Sequence, residues 1–247
     1  GLNGQLLEGY KQKNGTDFSA SVPECATWVP VNDQDLLAKA ASGAGGWLEI
    51  KNEDERSLKA LTLYGLKGMS AYAEHAYQIT KSCREIFEYL MEALAALVDD
   101  TKSQDELFNL VIKTGQMGVK TMALLDAANT QGYGTPEITQ VNIGVGKNPG
   151  ILVTGHDLVD LEDLLKQTQG QGVDVYTHSE MLPAHYYPKL KQYAHLVGNY
   201  GSAWWQQKED MPKFNGPSLF TSNCLVPTKA DYKGKLFTRS EERRVGK

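Results

Sequence analysis

The sequence predicts an α/β protein, with an N-terminal helical bundle followed by a Rossmann-like parallel α/β domain that is incomplete. Apolar residues recur at helical spacing in the first half of the chain, whereas short β-branched runs alternate with loops and one helix in the second half. Strands that alternate with helices form a parallel sheet with both faces covered. We expect the bundle, with its N-terminal part missing, over residues 1–130 and the α/β domain over residues 131–238.

The composition is that of a globular chain with room for one large or two modest domains. Of its 247 residues 41% are hydrophobic, and no apolar run approaches the ~18 residues needed to cross a bilayer. The chain carries 25 Lys and Arg against 30 Asp and Glu and lacks a one-sided basic stripe. Nucleic acid and membrane are therefore not expected as partners. Three widely spaced cysteines do not suit a secreted disulfide framework and fit a reducing cytoplasm.

Both ends of the sequence look like those of a fragment. The chain lacks an initiator Met, and its opening GLNGQLLEGY resembles the end of a helix already under way. We expect the chain to start in the middle of a protein. From Arg239 to Lys247 the sequence RSEERRVGK changes abruptly to charge and resembles the translated read-through of a sequencing adapter. This non-native-looking tail is excluded from the fold prediction.

Helix start signals organise the first domain. Residues 1–46 are expected to be irregular, apart from a short helix near residues 35–41, because turn-forming residues punctuate them. Beyond them a capping residue is followed three positions later by Glu at three places: Asn52 with Glu55, Ser82 with Glu85, and Ser103 with Glu106. Each pair opens an apolar-periodic segment, the last two running through Ala96 and Ala127. The sequence therefore predicts a three-helix bundle.

The hydrophobic period changes after Ala128. The turn-rich TQGYGTPEI is expected to be a linker, and a helix is expected at 158–168. Four short apolar runs rich in β-branched residues are predicted to be strands: ITQVNIG, ILVTG, VDVYTHS and SLFTSN.

Three residues with metal-ligand chemistry follow predicted strands. His156 follows ILVTG, Glu180 follows VDVYTHS, and Cys224 follows SLFTSN. Because ligands bind at the carboxyl ends of the strands of an open parallel sheet, these side chains could converge. A set of imidazole, carboxylate and thiolate suits iron with sulfide better than magnesium or calcium, and zinc also accepts it. The alternative is that each is an ordinary hydrogen-bonded loop residue.

The other histidines are given less direct roles. His178 is a competing candidate for a ligand, but the strand period places it on the same face as Glu180, which favours a residue that donates a hydrogen bond to a ligand. His185 and His195 lie among tyrosines and are expected to be hydrogen-bonded structural residues. His75, in the helical part, is expected to be a surface or packing residue.

A glycine-rich stretch precedes ILVTG. Gly144, Gly146 and Gly150 could form a phosphate loop, but a Walker motif needs Ser or Thr after its lysine, and Lys147 is followed by Asn148. A tight turn between strands is the favoured interpretation.

Four further residues are assigned to packing. Trp204 and Trp205 could form an aromatic binding platform but are expected to cover an edge of the core. Cys25 and Cys83 lack ligand-like neighbours and are expected to be small buried residues.

Several strings of the sequence are specific enough to show a family resemblance. They are PEITQVNIGVGKNPGILVTGHDL, GVDVYTHSEMLPAHYYPKLK, HLVGNYGSAWWQQ and FNGPSLFTSNCLVP, with SLKALTLYGLKGMSAYAEHA and TMALLDAANT in the helical part. Together they resemble the hybrid-cluster protein family, also called prismane proteins or hydroxylamine reductases. The resemblance covers essentially residues 1–238 and corresponds to a central piece of a longer chain.

The resemblance implies a set of cofactor ligands. In the family one His, two Glu and four Cys hold a hybrid iron-sulfur-oxygen cluster. The GHDL, HSEMLP and NC-hydrophobic-hydrophobic-P motifs place the ligands on His156, Glu180 and Cys224, the residues that the strand-end argument had isolated. The four other ligands, and the cysteines of a separate 4Fe-4S cubane, would lie outside this sequence. The fragment is therefore expected to be inactive alone.

The resemblance also implies an activity. The parent enzyme would reduce hydroxylamine with two electrons and two protons to ammonia and water, would also act on nitric oxide, and would need a protein electron donor. Two alternatives stay open at this point. One is a cluster enzyme similar to carbon monoxide dehydrogenase, against which the Glu180 motif argues, and the other is a non-catalytic module that binds a nucleotide or a partner.

Overall fold

A computed structural model describes residues 2–18, 24–41, 50–79, 81–222 and 224–238. Contacts divide the chain into two compact units, one of residues 1–70 and 84–120 and the other of residues 71–83 and 121–247. The second unit holds the sheet together with the C-terminal parts of two long helices. The domain boundary near residue 130 stays a prediction, and the tail 239–247 lies outside the described residues.

Six helices precede the sheet in the described part of the chain. They are α1 Leu2–Asn14, α2 Glu24–Thr27, α3 Asp33–Ala41, α4 Glu53–Gln78, α5 Arg84–Leu97 and α6 Gln104–Tyr133. The short helix and the three long helices predicted from the sequence are confirmed. The region before α4 is more helical than expected, because α1 extends over thirteen residues. None of the helices among the described residues is long and apolar enough to span a membrane.

Two of the predicted caps are formed. The side-chain oxygen of Asn52 accepts hydrogen bonds from the backbone N–H groups of Asp54 and Glu55, at 3.0 and 3.2 Å. Ser103 and Glu106 form a reciprocal capping box, since the N–H of Ser103 donates to the Glu106 carboxylate at 2.8 Å and the Ser103 hydroxyl accepts from the N–H of Glu106 at 3.3 Å. Both caps provide partners for N–H groups that the first helical turn leaves free.

Helix α6 runs further than its sequence predicts. The expected end near Ala127 is wrong, because the helix continues through the first residues of the supposed linker to Tyr133. Tyr133 is buried in the core of the second unit, and a side-chain carbon at Gly132 would approach Ile79 to 2.8 Å. Tertiary packing thus outweighs the poor helix propensity of glycine. The helix stops at Tyr133 because the next residue, Gly134, turns the backbone with a φ of +95°, which favours glycine.

The second unit contains a five-stranded parallel sheet. Its strands are β1 Gly150–Thr154, β2 Asp174–His178, β3 Leu196–Asn199, β4 Ser218–Phe220 and β5 Leu236–Thr238, in the order β3-β2-β1-β4-β5. Between them lie α7 Leu158–Thr168, α8 Pro188–Lys191 and α9 Gln207–Lys213. This order is that of doubly wound sheets, which confirms the predicted fold class. The register places Thr154 opposite both His178 and Phe220, so three strands end side by side.

Both faces of the sheet are covered. Val153 belongs to an apolar cluster with Leu161 and Leu165 of α7. Its neighbour Leu152 belongs to a second cluster with Phe214 and Phe220. Because successive side chains of a strand point to opposite faces, the two clusters lie on the two sides of the sheet.

The strand prediction is wrong at one place and incomplete at two. ITQVNIG is not a strand, since Ile138 and Ile143 are exposed and Asn142 reaches the edge strand β3 by a single backbone bond, from the N–H of Asn199 at 2.8 Å. The edge strands β3 and β5 were not predicted. They have only four and three residues, too few for a clear alternation of apolar and polar side chains. Strand β4 is equally short, and its prediction depended on the longer run SLFTSN.

The glycine stretch before β1 is not a turn between strands, because no strand precedes it among the described residues. The N–H of Gly146 donates to the Tyr176 hydroxyl at 2.7 Å, and a side-chain carbon at Gly146 would lie 2.5 Å from the Asp174 carboxylate. Gly146 therefore lies close to both side chains, and a larger residue there would displace the Asp174 carboxylate.

The expectation that the two tryptophans cover an edge of the core stays a prediction. Trp204 and Trp205 are 41% and 63% exposed and pack edge to face against each other. Cys83 is only half-buried, and the side chain of Cys25 lies outside the described part of the chain.

A candidate metal centre at the carboxyl ends of the strands

His156 is placed by the tight turn between β1 and α7. Gly155 adopts a φ of +117°, and a side-chain carbon there would lie 2.5 Å from the hydroxyl of Thr221. The next residue, Asp157, caps α7 by accepting hydrogen bonds from the N–H groups of Val159 and Asp160 at 2.9 and 3.1 Å. His156 therefore sits between a constrained glycine and a helix start.

Glu180 is placed by a reversal of the backbone after β2. Ser179 has a φ of +55°, which is uncommon for a residue other than glycine, and a 3-10 helix runs from Ser179 to Tyr186. Glu180 lies in its first turn. The strand period therefore stops at His178, and the expectation that it carries through to Glu180 is wrong.

Cys224 follows β4 in a segment without regular structure. The backbone is held next to β1, because the N–H of Thr221 donates to the carbonyl of Thr154 at 2.9 Å. Residues 224–229 form neither helix nor strand. The position of Cys224 therefore depends on contacts made by side chains.

The structure brings the three side chains together. One ligand atom from each of His156, Glu180 and Cys224 lies within 4.8 Å of the other two. His156 Nε2 is 2.8 Å from the Glu180 carboxylate, and the Cys224 thiol donates to the same carboxylate at 3.1 Å. The other ring nitrogen of His156 is 2.9 Å from the Ser222 hydroxyl and 3.6 Å from the Cys224 sulfur. The convergence expected from the strand ends is present in the structure.

The environment holds the proton on the Cys224 thiol. Burial, the hydrogen bond to Glu180 and the charge of that carboxylate together raise its pKa from 9.0 to about 12, and burial is the largest of these causes. The side chains of His156 and Glu180 are 32% and 45% exposed, so the cluster is open to solvent. A cation at this point would replace the thiol proton and remove the penalty for the thiolate.

The donor set fits a metal ion. Imidazole nitrogen, carboxylate oxygen and thiolate sulfur together bind borderline and soft transition metals, and three protein ligands leave coordination positions for a substrate or further ligands. For a multinuclear iron cluster the three residues are a partial set.

His178 does not join this cluster. It is fully buried, with Nε2 3.1 Å from the Asp210 carboxylate and Nδ1 3.3 Å from the Thr154 hydroxyl. Burial lowers the pKa of His178 although Asp210 opposes the shift. Its contacts connect the ends of two strands.

The expected structural roles of two other histidines are confirmed. His185 Nε2 lies 2.9 Å from the Thr177 hydroxyl, and His195 Nε2 lies 3.0 Å from the Thr168 hydroxyl. His75 is half-buried, and burial lowers its pKa. Asp157 raises this pKa and His156 lowers it, since both residues lie near His75. This proximity was not predicted, since no spacing in the sequence connects α4 to β1.

Two polar residues of α9 also escaped the sequence analysis. Asp210 binds His178, and Gln207 hydrogen-bonds the backbone around Cys224. Asp210 and Gln207 lie in a polar stretch that is typical of a solvated loop or helix. No signal in the sequence distinguishes them from their exposed neighbours.

Comparison with known proteins identifies a family and several named relatives. The chain matches the Prismane/CO dehydrogenase family over residues 9–246, a range that includes most of the segment 239–247. It is 55% identical over 237 residues to a protein of Halothermothrix orenii and 56% identical over 239 residues to one of Nitratidesulfovibrio vulgaris, each match covering 96% of this chain and 42% of the relative. A protein of Clostridium tetani is 57% identical over 230 residues, or 93% of this chain and 39% of its own length.

All three relatives carry the name hydroxylamine reductase. The chain spans about two fifths of their length. The segment they share with it includes β1, β2 and β4 and therefore the strand ends where the three ligand-type side chains meet. By the extent of the match and the identity of these relatives, the chain belongs to the Prismane/CO dehydrogenase family.

Proposed function

We propose that this chain is the central part of an iron-sulfur oxidoreductase that reduces hydroxylamine, with two electrons and two protons, to ammonia and water. His156, Glu180 and Cys224 are proposed as ligands of its hybrid iron-sulfur-oxygen cluster. The observation that carries the proposal is the meeting of these three donor atoms within 4.8 Å, from residues up to 68 positions apart. The names of the relatives support the substrate, and the proposal extends to nitric oxide, which also contains an N–O bond.

The donor chemistry supports iron as the metal. Cys224 offers the thiolate that iron-sulfur clusters need, whereas Glu180 and His156 offer harder donors that suit an iron not fully enclosed by sulfur. When bound, the cluster supplies electrons and an electron-poor iron for cleavage of the N–O bond. The remaining ligands, and those of a 4Fe-4S cubane, are assigned to parts of the longer polypeptide. The chain alone is therefore proposed to be inactive.

Side chains of this chain orient the proposed ligands and bind the proton that a metal ion would displace. Ser222 orients His156 through the ring nitrogen that does not face Glu180, as outer partners of metal-bound histidines do. Glu180 accepts the thiol hydrogen bond in the metal-free state, so the proton leaves the Cys224–Glu180 pair when a metal binds.

His178 is proposed as a positioning residue. It lies two residues before Glu180, and it contacts Thr154, which lies two residues before His156. Replacing His178 with Ala in the complete enzyme should slow turnover without loss of cluster iron. Unchanged turnover would remove His178 from the mechanism, and loss of iron would make it a determinant of cluster assembly instead.

The proposal also includes the setting of the enzyme. The sparse cysteines support a cytoplasmic setting, and the name of the relatives supports a place in nitrogen metabolism with electrons received from a redox protein. The acidic balance of charges argues against nucleic acid as a partner, and none of the helices among the described residues could span a membrane.

The test uses the complete polypeptide that contains this segment. After anaerobic reconstitution, the enzyme should bind several irons and oxidise a reduced viologen when hydroxylamine is added. Glu180→Gln and His156→Ala should each lower turnover more than about 100-fold, beyond the 10- to 100-fold typical of outer partners. Glu180→Gln should alter the electron paramagnetic resonance of the hybrid cluster while the cubane signal persists. Full turnover in both variants would contradict the ligand assignment.

A further inference from the structure

Gln207 is a buried polar residue at the start of α9. Only 1% of its surface is exposed. Its side-chain amide nitrogen donates to the carbonyl of Cys224 at 2.5 Å and to that of Trp204 at 2.6 Å. Its side-chain oxygen accepts from the N–H of Val226 at 3.2 Å. Both donors and the acceptor of the carboxamide are therefore used.

Two of these bonds hold two successive peptide groups of the backbone. One is made by the carbonyl of Cys224 and the other by the N–H of Val226. A carbonyl and an N–H two residues apart are paired as a neighbouring strand would pair them, although residues 224–229 belong to no strand. Leu225, between them, packs against the apolar cluster of Phe214 and Phe220. The carboxamide and this apolar contact fix the backbone from which the Cys224 thiol projects.

We propose that Gln207 is the positioning residue of Cys224, holding its sulfur where His156 and Glu180 can share a metal ion with it. The inference rests on the proposed metal centre and adds a residue to it. Outer partners that orient a ligand typically change metal affinity about 10- to 100-fold when they are replaced. Gln207 acts on a ligand through its backbone, and the other two ligands do not depend on it.

The neighbouring Gln206 provides a matched control. It has the same side chain, and its oxygen accepts from the N–H of Ala203 at 3.3 Å within its own turn. Replacing either glutamine with Leu removes one carboxamide of the same size. The two variants differ in whether the backbone of Cys224 loses its partners.

The probe is Co²⁺ alone, added anaerobically to the 247-residue chain with Cys25 and Cys83 replaced by Ser. Thiolate bound to Co²⁺ gives a charge-transfer band in the near ultraviolet, which reports the Cys224 sulfur and not metal binding in general. The starting chain should show the band and Cys224→Ser should lose it. Gln207→Leu should weaken binding about 10- to 100-fold and reduce the band at saturation, whereas Gln206→Leu should match the starting chain.

Gln207→Glu gives a second variant in case Gln207→Leu fails to fold. It keeps an acceptor for Val226 but removes the donor to the Cys224 carbonyl, and should also reduce the band. Hydrogen exchange at the Val226 amide gives a readout without metal, and it should accelerate in Gln207→Leu and not in Gln206→Leu.

The outcomes separate the two proposals. No thiolate band in the starting chain would overturn the metal centre, and with it the role of Gln207 as a ligand support, even if the Val226 amide is protected. A band of equal intensity and affinity in the starting chain and in the folded Gln207 variants would overturn the positioning role and leave the metal centre standing. A reduced band in Gln207→Leu and in Gln206→Leu alike would also overturn it, since the effect would then not pass through Cys224.

Discussion

The two sides of the candidate site are supported in different ways. On the His156 side, Gly155 makes the turn and Asp157 caps α7, both within the ligand's immediate chain neighbours. On the Cys224 side, residues without regular structure are held by Gln207, 17 positions earlier in the chain. Support from neighbouring residues can be recognised in the sequence, whereas support from a distant residue forms only when the chain folds. The two sides should therefore respond differently to substitution.

The largest expected effect is a loss of stability on the His156 side of the site. Gly155→Ala adds a carbon 2.5 Å from the Thr221 hydroxyl and 2.9 Å from the Ser222 backbone nitrogen, at a φ of +117°. The combined strain and overlap should lower the free energy of unfolding by about 3–4 kcal/mol. Urea unfolding followed by tryptophan fluorescence measures it.

Gly170, just beyond the other end of α7, is the control for Gly155. Its φ is +75°, and an added carbon would meet nothing within 4 Å. Gly170→Ala should therefore cost only about 1–2 kcal/mol, the conformational penalty alone. Equal losses for the two variants would show that the packing of the turn against Thr221 and Ser222 contributes nothing.

The same division explains what the sequence could predict. The parallel sheet, the helix over residues 158–168 and the three ligand-type residues were predictable, because hydrophobic patterning and the ends of strands are short-range features. The extension of α6 to Tyr133 was not, because the burial of Tyr133 overrides a glycine and a turn-rich string. Nor were the contacts of Gln207 or the nearness of His75 to the cluster, because the residues concerned lie on other elements. Short edge strands escaped because three or four residues carry too little pattern.

A smaller effect is expected at Asp157, where a substitution should change stability more than metal binding. Asp157→Ala removes the cap of α7 and should lower the free energy of unfolding by about 1–2 kcal/mol, and Asp157→Ser should restore most of it. Because Asp157 supports the helix and not the thiol, Co²⁺ affinity should change by less than the roughly 10-fold minimum expected for Gln207→Leu. Unfolding and Co²⁺ titrations of the same variants test both statements. An Asp157→Ala chain of unchanged stability but much weaker Co²⁺ binding would reverse the assignment of the two residues.

The smallest expected effect concerns the proton that Cys224 retains. Burial and Glu180 raise the pKa of the folded thiol from 9.0 to about 12, so above pH 9 the unfolded thiol loses its proton while the folded one keeps it. The unfolded state then binds fewer protons, and the free energy of unfolding contributed by this group falls as pH rises from 9 toward 12. Because the site is partly open to water, the slope should be below about 1.4 kcal/mol per pH unit.

Cys224→Ala should remove that part of the decline, whereas Cys83→Ala, at the other free thiol among the described residues, should keep it. Comparing the variants with the starting chain cancels the lysines and tyrosines that titrate over the same interval. Parallel curves for the starting chain and Cys224→Ala would mean that Glu180 and burial do not hold the thiol proton. A steeper decline in the starting chain would show that the Cys224 side of the site favours the neutral thiol until a cation takes the place of its proton.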